Sequence, residues 1–157
     1  MIPSPIRQLD QSLASFMKYF LVYINPILHR AEYQGRIYSE NQIIVVMALD
    51  LCGELRPTDL SRGLSMQKGT LTPIFRKLRE LGLVERVDRP GEERSYRLRL
   101  TGAGKAFVRF LEARRLQKFH SLFSAMEPDA LRAAAQGISL LTDYLKRVEE
   151  DACSRAS

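Results

Sequence analysis

The chain has 157 residues, 45% hydrophobic and 27% charged, which supports one good hydrophobic core and excludes disordered, collagenous and small disulfide-scaffold classes. Lys and Arg outnumber Asp and Glu by 24 to 18, a formal net charge of +6, which favours a polyanionic partner without choosing between DNA, RNA and a membrane surface. Cys52 and Cys153 give no zinc-ligand spacing, no apolar run approaches the ~18 residues of a membrane span, and the N-terminus lacks a secretory pattern, so the cytoplasm is the expected location.

From Ile6 onward, Leu9, Leu13, Phe16, Phe20, Ile24 and Ile27 form a helical stripe of about six turns, with Pro26 kinking or ending it. Ser39 and Gln42 have capping-box spacing just before Ile43, Ile44, Val46, Met47 and Leu49, which predicts a helix over 39–52 closed near Gly53. Pro57 and Thr58 open a short third helix to about Leu64, with Leu60 and Leu64 inward. A fourth helix follows a three- or four-residue turn and runs from about Lys68 to Leu81. Its Leu71, Ile74, Phe75, Leu78 and Leu81 share one face, and Gly82 stands at the left-handed position after its end.

The apolar period then changes from 3.6 to 2. A strand is expected over 83–87, a turn around Arg89-Pro90-Gly91, and a second strand over 95–100 with Tyr96, Leu98 and Leu100 inward and Arg97 and Arg99 outward. Thr101 caps a helix to about Met126, and Pro128 opens a last helix to about Ala152. In that last helix Leu131, Ile138 and Leu145, and likewise Ala134, Leu141 and Val148, recur at seven-residue intervals, a seam that suits either core packing or a helix of a second chain.

The fold class is therefore mostly α with a small antiparallel β-hairpin. It is a single domain over 1–157, with a winged helix-turn-helix at 39–101 flanked by helical parts at 5–34 and 102–152. Residues 53–100 carry 11 Lys and Arg against 7 Asp and Glu, a basic excess on the fourth helix and hairpin that suits phosphate neutralisation; a merely solvated basic face is the alternative.

Two stretches carry a family likeness. Asp59-Leu60-Ser61-Arg62-Gly63-Leu64-Ser65-Met66-Gln67-Lys68-Gly69-Thr70-Leu71-Thr72-Pro73 and Leu78-Arg79-Glu80-Leu81-Gly82-Leu83-Val84-Glu85-Arg86 resemble the multiple-antibiotic-resistance regulator (MarR) family. Glu92-Glu93-Arg94 and Leu100-Thr101-Gly102-Ala103-Gly104 extend the resemblance, with Glu92 standing where the family's wing usually has Asp. The likeness covers about 39–104. It implies a homodimeric DNA-binding transcription regulator, usually a repressor, without catalysis, with the first, fifth and sixth helices forming the dimer part and an inverted-repeat operator as the double-stranded DNA partner. The wording is most similar to the organic-hydroperoxide-sensing branch, but Ala14 stands where that branch has its sensor cysteine.

Lys68, Thr70, Thr72, Pro73, Arg76 and Lys77 are the expected groove-facing residues, with Arg76 reading guanine or holding phosphate. Arg94 is expected to enter the minor groove, while Arg86 and Arg97 are candidates for backbone contact. Arg79 and Arg99 stand beside them as phosphate or solvent residues. Cys52 is a redox candidate, though reactive thiols belong at helix N-termini or beside cations and Cys52 falls near the other end of a helix. Tyr19, Phe20, Tyr23 and Tyr33 line a small-molecule effector cleft or fill core. No cofactor, metal or membrane partner is expected, and the isolated His29 and His120 offer little general acid–base chemistry. The competing readings are a winged-helix module for a protein partner with only non-specific DNA affinity, and a redox regulator using Cys52.

Overall fold

The computed structural model describes residues 4–25, 30–88 and 96–155, with side chains to 148. Two compact units divide it, Met1–Lys118 and Phe119–Ser157. The architecture is mostly helical, and its buried core runs from Ala31 to Val108 without a buried polar or charged residue among the described ones.

Helix α1 spans Ser4–Tyr19 and passes into a π-helical turn, Phe20–Ile24, so the expected single long helix changes its winding at Phe20. The anticipated effect of Pro26 lies outside the described residues. A β-hairpin that the sequence reading lacks then appears, β1 (Arg30–Tyr33) against β2 (Arg36–Ser39), where a helical part was expected to extend to residue 34. Its two-residue loop holds Gln34 at φ 51° and Gly35 at φ 70°, the doubly left-handed geometry that suits the twist of a tight hairpin. Ala31 and Tyr38 pair across it and are buried.

Helix α2 (Glu40–Cys52) starts as anticipated. The Ser39 hydroxyl accepts from the Gln42 amide at 3.4 Å, and the Gln42 side-chain oxygen accepts from the Ser39 amide at 2.9 Å. Ile43, Val45, Val46 and Leu49 enter the core. Helix α3 (Pro57–Gly63) is started by Pro57 at its first position and by the Asp59 carboxylate accepting from the Arg56 amide. The link to α4 (Lys68–Glu80) is a locked turn: Ser61 Oγ donates to the Met66 carbonyl at 2.6 Å and Ser65 sits at φ 52°. Leu71, Phe75 and Leu78 bury one face of α4, with Ile74 at its edge, and Gly82 follows at φ 70°.

Strands β3 (Val84–Val87) and β4 (Arg97–Leu100) pair antiparallel, Val84 with Leu100 and Glu85 with Arg99, close to the expected spans. Leu55 adds a third, single-residue rung to this wing through mutual hydrogen bonds with Leu98 of 2.8 and 3.1 Å. The turn itself, including Glu92, Glu93 and Arg94, lies outside the described residues.

Helix α5 (Gly102–Phe123) begins at Thr101, whose hydroxyl accepts from the Gly104 amide at 3.0 Å and donates to the Gly82 carbonyl at 2.6 Å. The Thr101-Gly102-Ala103-Gly104 motif is therefore a clasp between the start of α5 and the turn before β3. A Cβ at position 104 would collide with the Leu83 carbonyl oxygen. Phe107 is fully buried against Tyr33 and Tyr38, with ring centroids 5.1 and 4.4 Å away, and Arg114 donates to the Arg30 carbonyl at 2.7 Å. Helix α6 spans Pro128–Arg155, three residues beyond the expected end. Of its heptad residues, Leu131, Ile138, Leu145 and Val148 are exposed and Leu141 is half-buried.

Candidate nucleic-acid interface

The outward face of α4 follows from its inward one. With 3.6 residues per turn, burying Leu71, Phe75 and Leu78 sends Gly69, Pro73 and Arg76 to the opposite side, flanked by Lys68, Thr72 and Arg79 on one edge and Thr70 and Lys77 on the other. All eight are exposed. Of the site residues expected on this helix, every one lies on the solvent side, in a single stretch of three turns.

Charge on this face is largely uncommitted. Lys77 meets Glu80 at 3.8 Å, an exposed pair of small energetic weight, whereas Lys68, Arg76 and Arg79 make no ion pair among the described residues. No side chain caps the start of α4, so its first amide groups face outward beside Lys68. Pro73 occupies the second turn, on the wet side. There its ring conflicts with no packed neighbour, and the missing amide is that which would have met the Gly69 carbonyl.

The wing arginines behave differently. Arg86 Nε donates to Asp88 Oδ1 at 2.7 Å, and its guanidinium lies 4.5 Å from the centre of the Tyr96 ring. Arg99 Nε donates to Glu85 Oε1 at 2.6 Å, and its second nitrogen is 3.6 Å from Glu54. That hydrogen bond and the Glu85 charge hold the Arg99 guanidinium above its ordinary, already high range. Arg97 was expected to point outward, yet it is half-buried. Its neighbours Leu98 and Leu100 are both buried, as alternation requires. The strands of the wing thus spend much of their positive charge on internal partners, and α4 supplies the free charge.

Two polar residues outside the expected set lie beside this face. Arg62, exposed in the last turn of α3, and Gln67, exposed immediately before α4, flank the turn that aims α4 outward. The signal for both was positional: in a helix-turn-helix, the first helix crosses the phosphate backbone and the residue before the second opens toward it.

Elsewhere the expectations divide. Tyr33 belongs to packing, its ring 4.8 Å from Phe110 and 5.1 Å from Phe107. Tyr19 and Tyr23 are exposed and stack on each other at 6.3 Å, and Phe16 lies 5.8 Å from Phe20. Cys52 is a free, exposed thiol at the last position of α2. Among the described residues no group of three or more His, Cys, Asp or Glu could hold a metal, and no helix is long and apolar enough to cross a membrane.

The fold has counterparts among known proteins. No family model matches the sequence. The chain is 33% identical over 89 residues to the HTH-type transcriptional regulator SarZ of Staphylococcus haemolyticus, a match spanning 54% of this chain and 60% of that protein's length. Its fold is similar to a MarR family protein from Bacillus stearothermophilus, with TM-score 0.69 and 18% identity over 93% of this chain and 99% of that one. It is also similar to wild-type apo MarR from E. coli, with TM-score 0.61 and 20% identity over 90% and 97% of the two chains. A third similar structure is Streptococcus pneumoniae FabT in complex with DNA, with TM-score 0.60 and 19% identity over 91% and 99%. The resemblance read from the sequence motifs is borne out, and with it the winged-helix fold class.

Proposed function

From a chain with the fold of the MarR-family transcription regulators, we propose a homodimeric, sequence-specific DNA-binding repressor of the cytoplasm with no catalytic role. Helix α4 enters the major groove of an inverted-repeat operator and the wing reaches the neighbouring minor groove through Arg94. The observation that carries this reading is the outward face of α4, where Lys68, Arg76 and Arg79 stand exposed without an ion pair among the described residues, on a helix fixed by a hydrogen-bonded turn and a buried opposite face. The pairing of Arg86 with Asp88 and of Arg99 with Glu85 concentrates the free charge of the described residues on α4.

Dimerisation is supported by α1 and α6, each of which exposes an apolar stripe. Leu9, Leu13 and Phe16 are 41%, 42% and 45% exposed, and Ile138 and Leu145 are 57% and 64% exposed. Stripes of this size on a monomer mark interaction surfaces. The effector reading keeps Tyr19, Phe20 and Tyr23, since Tyr33 packs against Phe107 and Phe110.

Selection of genomic fragments by the purified protein at near-physiological salt tests the reading. Enrichment of an inverted repeat with half-sites about ten base pairs apart is expected. Retention of DNA only at low salt, with no shared motif, overturns it in favour of a protein-partner module with incidental electrostatic affinity.

A further inference from the structure

The hydrogen-bond polarity of α4 carries an inference about which base pairs it reads, and this inference rests on the regulator reading above. A threonine hydroxyl has one proton and two lone pairs. In α4 the Thr72 proton is already used, since Oγ1 donates to the Lys68 carbonyl at 2.9 Å. Toward the groove, Thr72 can therefore only accept a hydrogen bond, and it adds its methyl group. The next residue is Pro73, which has no amide proton, so the carbonyl of Gly69 lacks the amide it would otherwise accept from. Gly69 has no side chain, and the space where a Cβ would stand is open. The turn Gly69–Pro73 thus offers DNA one acceptor, the Thr72 hydroxyl, beside two apolar groups, the Thr72 methyl and the Pro73 ring. One turn further on, Arg76 offers only donors.

In the major groove an A·T pair displays an amino donor, adenine N6, and a thymine methyl on the same edge, and a C·G pair displays an amino donor without the methyl. An acceptor beside apolar groups matches the first. We infer that the Gly69–Pro73 turn selects an A·T pair, with Thr72 accepting from adenine N6 and Pro73 covering the thymine methyl, while Arg76 selects a guanine one to two base-pair steps away. Thr72 is thus a specificity-determining acceptor, and the sign of its contact is fixed by the bond to Lys68.

The test uses the full-length protein and its selected operator, with base analogues placed at the A·T pair adjoining the guanine. Replacing adenine by purine, which lacks the 6-amino group, should weaken wild-type binding by roughly fivefold to tenfold, the lower end for a lost base contact. Replacing it by 7-deaza-adenine, which removes an acceptor, should leave binding unchanged. Thr72→Ser should keep this pattern. Thr72→Val, an exposed substitution of equal shape, should abolish the dependence on the amino group while circular dichroism stays native. Sensitivity to 7-deaza-adenine with indifference to the amino group would mean that Thr72 donates, and the inference falls. A selected operator with no A·T pair beside the guanine also overturns it, while the regulator reading stands. Selection of no operator at all removes the regulator reading and this inference together.

Discussion

Helices α1 and α4 both carry apolar side chains at helical spacing, yet they meet different fates. Leu71, Phe75 and Leu78 of α4 are at most 5% exposed, whereas Leu9, Leu13 and Phe16 of α1 are more than 40% exposed. Periodicity specifies that a helix has an apolar face; it does not specify whether the same chain supplies the cover. In α4 the cover comes from α3, α2 and the wing strand β3, and the short turns around Ser65 and Gly82 bring α3 and β3 alongside. In α1, by contrast, no residue is buried.

The comparison can be broken at either end. Phe107→Ala, in the aromatic cluster that joins β1, β2 and α5, should destabilise the fold by about 3–5 kcal/mol in denaturant unfolding. Gly104→Ala should follow at about 1–3 kcal/mol or more, because the new methyl meets backbone and not a movable side chain. The double change Leu13→Glu, Phe16→Glu should weaken self-association by about 2 kcal/mol or more, read by sedimentation equilibrium, with the wing core still cooperative. A stability loss equal to that of Phe107→Ala would instead make the α1 stripe core.

Smaller effects sharpen the same contrast on the polar side. Arg76→Ala should cost about 1–3 kcal/mol of operator affinity and relax preference at one position. A uniform loss across sequences, with the salt slope reduced by about one, would make Arg76 a phosphate contact. Ser39→Ala should remove about 1 kcal/mol through the cap of α2. Tyr38→Phe addresses pH. Burial raises the Tyr38 phenol above its ordinary value, against a lowering by Arg36. Its contribution is therefore fully present below about pH 10 and lost as pH rises through the folded value; thermal unfolding of the Phe variant should lose that alkaline component.

Much of this architecture was legible because its signals are local. The Ser39–Gln42 cap, the Pro57 start, the inward residues of α4 and the Gly82 stop each depend on residues within a turn or two of one another. The hairpin at 30–39 escaped because its strands are four residues long and offer few inward apolar side chains. Its one local mark was the Gln34-Gly35 pair, a weaker turn signal than Asn-Gly. On the wing, alternation correctly placed Leu98 and Leu100 but could not show that Arg99 would meet both Glu85 and Glu54. Those carboxylates lie many residues away, and only strand register brings them near.

The candidate site divides in the same way. Which residues of α4 face outward was set by the sequence, through the spacing of Leu71, Phe75 and Leu78 and the single handedness of an α-helix. Which of the chain's cations stay free to meet a phosphate or a base was decided by tertiary structure, because a charge is neutralised by neighbours in space. Cross-strand pairing gives Arg99 its carboxylates, and the bend after β3 gives Arg86 its own, while the exposed back of α4 leaves Arg76 with none among the described residues.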